Sequence, residues 1–175
     1  TLLASMTNCK LISIFNWYCQ DVWGNGNSEA CWDTLLTSGK IIYGYAEDDA
    51  HGTGRVGKTF NRLGTNLLTL SAIKNAFESG NTYFGYNYTR WADGIKITDY
   101  TITDANAGGV ISIATTTGQT IKFIGTGGST LKTVSGSSGS YTITGSEKYV
   151  RIKITNPTGD ITWTQPVFVG GGSPP

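Results

Sequence analysis

The chain has 175 residues, enough for one large domain or two small ones. Charged residues make up only 14% and the net charge is +1; no basic stripe points to nucleic acid and no acidic tail to a basic partner. No apolar run approaches the roughly 18 residues of a membrane span, while 24 glycines among abundant Thr and Ser point to turn-rich β structure.

The chain opens on Thr1-Leu2-Leu3 without an initiator Met or a visible signal peptide, so it is expected to be a processed or truncated piece of a longer protein. Cys9, Cys19 and Cys31 fit no zinc spacing, and their odd number argues against a disulfide framework. Buried free thiols are expected, with a single disulfide as the alternative.

Leu11-Ile12-Ser13-Ile14-Phe15 predicts a short buried strand, followed by a polar loop over Trp23–Asn27. Ser28 is a good N-cap, and Trp32, Leu35 and Leu36 share one helical face that Gly39 ends. Ile41–Tyr45 is the next strand, so residues 11–45 form a βαβ unit of a parallel sheet. That strand leads into Asp48-Asp49-Ala50-His51, which contains the only histidine in the chain. An Asp-x-His at a strand end is suited to a divalent metal, because carboxylate oxygen and imidazole nitrogen both ligate Zn, Mn or Fe. The bland alternative is a capped turn whose Asp side chains satisfy loop amides.

Gly52 to Thr59 matches the phosphate-loop spacing literally, yet no convincing helix follows, so nucleotide binding is not expected. A second helix is predicted from Leu70 to Ser79, with Ile73, Ala76 and Phe77 inward, and a strand over Tyr83–Tyr86. Asn87-Tyr88-Thr89 is a glycosylation triplet of a kind that arises by chance. Trp17, Tyr18, Trp23, Tyr86, Tyr88 and Trp91 are aromatic residues that either stack on sugars or pack in the core.

Patterning changes near Ile95. Seven alternating runs, 95–103, 110–115, 120–124, 130–134, 140–144, 147–155 and 161–168, predict a small antiparallel β-sandwich. Val150, Ile152 and Ile154 should face inward, and residues 170–175 read as a Gly/Pro linker or tail.

Several segments together resemble a family. Trp32–Lys40 followed by Ile42–His51 is similar to the C-terminal half of a PHP (polymerase and histidinol phosphatase) domain, in the branch of CehA-like metallohydrolases. Ala72–Tyr83, Tyr149-Val150-Arg151-Ile152 and Trp163–Phe168 resemble later segments of the same proteins, so the resemblance spans nearly the whole chain. It implies an α+β chain: residues 1–94 as part of a distorted β/α barrel, residues 95–169 as its terminal β module. It further implies metal-dependent hydrolysis of phosphoesters, with Asp49 and His51 as metal ligands. The family's His-x-His motif and middle histidines have no counterpart here. The expected partner is therefore a missing N-terminal half, another copy or another subunit, and the chain alone is not expected to be active. Two alternatives stand beside this: a structural or surface-attachment protein of a virion or extracellular fibre, favouring an extracellular or virion location, and a carbohydrate-binding module.

Overall fold

A computed structural model describes residues 2–170, apart from the side chains of residues 4, 117 and 118. The described residues form a β-rich α+β structure in which an α/β unit packs on a curled antiparallel sheet.

The α/β unit follows its local sequence signals. After a short helix α1 (Leu2–Ser5), strand β1 (Leu11–Asn16) runs into helix α2 (Trp17–Trp23). Helix α3 (Glu29–Thr37) then leads to strand β2 (Tyr43–Glu47), which pairs parallel with β1. The βαβ unit is therefore present, with β2 two residues later than its expected position. Helix α2 was not expected. Asn16 nucleates it by accepting the Cys19 N–H at 2.8 Å, and Gly24 stops it in the left-handed region that glycine tolerates. At α3, Ser28 occupies the cap position, but the capping bond comes from Asn27 Oδ1, which accepts the Glu29 N–H at 2.9 Å.

Downstream, the expected parallel pattern ends. Strand β3 (Thr59–Leu63) falls in a segment with no clear sequence period, and all five of its residues are half-buried. Helix α4 (Leu70–Glu78) and strand β4 (Thr82–Tyr86) follow as expected. However, β3 and β4 pair antiparallel with each other, and β4 pairs with a strand from the far end of the chain.

The seven expected runs resolve into six strands among the described residues: β5 (Ile97–Ile102), β6 (Val110–Ile124), β7 (Thr130–Thr142), β8 (Tyr149–Thr155), β9 (Ile161–Thr164) and β10 (Val167–Phe168). The breaks expected between runs 110–115 and 120–124 and between runs 130–134 and 140–144 are instead absorbed within long strands, at a register irregularity between Ala114 and Gln119. The expected sandwich of two sheets is also replaced. Strands β3 to β10 form one eight-stranded sheet in the order β3-β4-β9-β8-β6-β5, with β10 on β8 and β7 on β6, curled as a half-barrel. This sheet runs through the patterning change at Ile95.

Strand β8 explains how the two parts join. Val150, Ile152 and Ile154 are fully buried inside the curl, among Ile111, Ile113, Ile121 and Phe123. Tyr149 and Arg151 alternate onto the other face, toward α3. There a second core gathers Ile14, Phe15, Trp32, Leu35, Leu36, Phe84 and Trp163.

The outer edge of β2 is closed by two side-chain amides. Gln165 accepts the Gly44 N–H at 2.9 Å and donates to the Gly44 carbonyl at 2.7 Å. Asn61 does the same at Ala46, at 3.1 and 2.7 Å. These amides replace a third strand there, which limits edge exposure.

All three cysteines are free; Cys9 and Cys19 are half-buried, and Cys31 is exposed rather than buried as expected. Among the described residues no helix is long and apolar enough to cross a membrane. Residues 171–175 of the expected tail lie outside the described residues.

Candidate metal centre

The parallel strands β1 and β2 end side by side, with Asn16 opposite Glu47. Chain groups that leave parallel strands at this edge are held by a rigid sheet, and ligand sites gather there. Asp48 and Asp49 follow β2 and diverge in role.

Asp48 is consumed by structure. Its carboxylate accepts the N–H groups of Gly57, Lys58 and Thr59 at 2.6, 3.1 and 2.8 Å, and the Thr59 hydroxyl at 3.0 Å. The phosphate-loop look-alike is thereby explained. Its amides point at an internal carboxylate, and strand β3, not a helix, follows them. Arg90 straps the same loop from the other side, with guanidinium nitrogens donating to the carbonyls of Thr53, Gly54 and Val56.

Asp49 points elsewhere. It holds a left-handed backbone conformation with φ of 48°, a region Asp tolerates better than most residues other than glycine. Its Oδ1 lies 3.5 Å from His51 Nε2, and the side chains are 40% and 62% exposed. Asn16 Nδ2 donates to the other oxygen at 3.1 Å, and Cys19 Sγ lies 4.0 Å from it. Asn16 thus caps α2 with its oxygen and orients Asp49 with its nitrogen. The His51 ring rests against Tyr18, with centroids 4.5 Å apart, and Arg55 covers Tyr18 at 4.7 Å.

The residues singled out in the sequence are therefore adjacent and accessible. Their 3.5 Å separation is that of an ordinary Asp–His contact, and it is also close to the spacing of about 3.3 Å between two donors on one divalent ion with tetrahedral bonds near 2.05 Å. Asn16 was not legible as a participant, because a strand-terminal Asn 33 positions away carries no local signal. Two ligands do not make a complete site. Among the described residues no group of three or more His, Cys, Asp and Glu is placed to hold a metal ion.

The glycosylation triplet is closed off. Asn87 is buried, and its amide nitrogen donates to the Ala92 carbonyl at 2.7 Å.

Comparison with models of protein families, with curated proteins and with solved structures returned no match.

Proposed function

We propose that this chain is the C-terminal part of a PHP-type metal-dependent phosphoesterase, and that Asp49 and His51 are two of the ligands of its metal site. The reading rests on the resemblance of the Trp32–His51 segment. The observation that carries it is the 3.5 Å approach of Asp49 Oδ1 to His51 Nε2 at the ends of parallel strands.

The chain's own contribution is positional. Asn16 occupies the second Asp49 oxygen and so fixes which oxygen faces His51. Tyr18 holds the imidazole ring in place from its side. A divalent Zn, Mn or Fe ion bound here would lower the pKa of a bound water and offset charge on phosphoryl oxygens. The remaining ligands come from a further segment of the parent protein, another copy or another subunit.

Isothermal titration with Mn2+ tests this reading. One weak site is expected, lost in His51→Ala and in Asp49→Asn. Absence of any binding, or binding unchanged by both substitutions, refutes it.

A further inference from the structure

A second feature lies on the turn that follows β4. Tyr88 and Trp91 are 63% and 71% exposed. Exposed aromatic rings are unremarkable on a loose loop, but this turn is tied down along its whole length. Asn87 N–H donates to the Lys58 carbonyl at 2.7 Å, Tyr88 N–H to Asp160 Oδ1 at 2.7 Å, and Trp91 N–H to the Gly57 carbonyl at 2.7 Å. Between the rings, Arg90 is engaged with three loop carbonyls.

Trp91 is also held at φ of 59°, a backbone region unfavourable for a bulky residue. Its indole lies against Gly57, where even a Cβ would come within 2.5 Å of the ring. One indole face is thus backed by backbone. The Tyr88 ring stands beside the next residue of that loop, with Lys58 Nζ 5.5 Å from its centroid. Two largely exposed rings therefore flank the Gly57-Lys58 step, each with a cation against it, Lys58 beside Tyr88 and the Arg90 guanidinium 5.5 Å from the Trp91 ring centroid. Presenting a ring in a fixed pose lowers the ordering cost of stacking a ligand on it.

The neighbouring charges are already matched. Arg55 pairs with Asp21 at 3.2 Å, Arg90 holds carbonyls, Lys58 donates to the Tyr88 carbonyl, and Asp48 takes loop amides. An anionic ligand gains little here. A continuous apolar partner surface is also a poor match, because Thr89 and Arg90 separate the rings. A neutral ring with apolar C–H faces and polar edges fits both the aromatic rings and the exposed Thr53 and Thr89 around them.

We propose that Tyr88 and Trp91 form a stacking platform for a neutral saccharide chain with equatorial hydroxyls. The site is independent of the proposed metal ligands, so its test is run in EDTA. Cellohexaose is titrated calorimetrically into the 175-residue chain and into Trp91→Gly, Trp91→Phe and Tyr88→Ala. Glycine suits the backbone at position 91, so Trp91→Gly should remain folded, checked by circular dichroism. The expected result is binding to the unaltered chain, weakened about tenfold or more by Trp91→Gly and by Tyr88→Ala, as loss of one stacked ring implies. Trp91→Phe should largely retain it. No binding of cellohexaose to the unaltered chain, equal binding by folded Trp91→Gly, or tighter binding of anionic polygalacturonate would overturn the proposal.

Discussion

Arg151 on β8 grips Asp33 on α3 with two parallel bonds, from Nε and Nη2 to the two carboxylate oxygens, each 2.8 Å long. The partners are 118 positions apart in the chain, and the Arg151 side chain is only 1% exposed. Tyr149 donates to the same carboxylate at 2.8 Å, while Arg151 and Lys153 both reach Glu29. Burial opposes ionisation of Glu29, but the Lys153 and Arg151 charges outweigh it and hold its carboxyl below the usual value. This network is the polar seam between the α/β unit and the curled sheet.

A buried charge left wholly uncompensated costs about 3–5 kcal/mol, but Arg151 keeps Glu29 as a counter-charge when Asp33 is neutralised. Asp33→Asn should therefore lower the unfolding free energy in urea denaturation by less than that full amount. The double variant Asp33→Leu/Arg151→Met should lose clearly less than Asp33→Asn alone. Equal losses would show that packing, not charge, dominates the seam.

Gln165 should matter out of proportion to its size. It satisfies both backbone groups of Gly44 and also donates to the Thr82 hydroxyl at 2.7 Å. In Gln165→Leu those buried groups are orphaned, at a cost of about 1–3 kcal/mol. Hydrogen exchange at Gly44 should accelerate in parallel. An unchanged Gly44 amide would show that another group closes the β2 edge.

Acid sensitivity should have a traceable component at Glu147. Burial opposes its ionisation, but the Tyr141 hydroxyl and the amides and hydroxyl around Thr144 prevail, lowering its pKa from 4.5 to about 2. A carboxyl depressed in the folded state stabilises the fold above its unfolded pKa. That stabilisation is lost as pH falls from 4.5 toward about 2. Glu147→Gln should flatten the stability profile over this window. A profile as steep as that of the unaltered chain would place the acid response elsewhere.

What the sequence revealed follows from the range of each interaction. Strand β1, helix α3 and strand β2 were legible because their apolar periods and Gly39 stop are local. The adjacency of Asp49 and His51 was legible for the same reason, being a spacing of two residues. Strand β3 was hidden because each of Thr59–Leu63 is half-buried, which erases the alternation that marks a strand with one wet face. The long strands β6 and β7 were each split in two, because Thr117-Gly118 and Gly136–Gly139 carry turn chemistry that the ladder between them overrides. The Asp33–Arg151 pair and the Gln165–Gly44 clasp bridge more than 100 positions and leave no local trace.

The chain by itself should show negligible hydrolysis of a chromogenic phosphodiester in the presence of Mn2+ or Zn2+, because two ligands are too few to activate a water. Metal-dependent turnover that disappears in His51→Ala would show that the remaining ligands are already present in this chain.

The central claim is that Asp49 and His51 bind one ion together, and the chain offers a direct probe of it. His51 is the only histidine, so its imidazole nitrogen signals are free of overlap in 15N NMR. The account predicts that added Zn2+ shifts the Nε2 signal, the nitrogen 3.5 Å from Asp49, and that Asp49→Asn weakens the response about tenfold or more. A Nε2 signal indifferent to Zn2+, or a shift equally strong in Asp49→Asn, would contradict it.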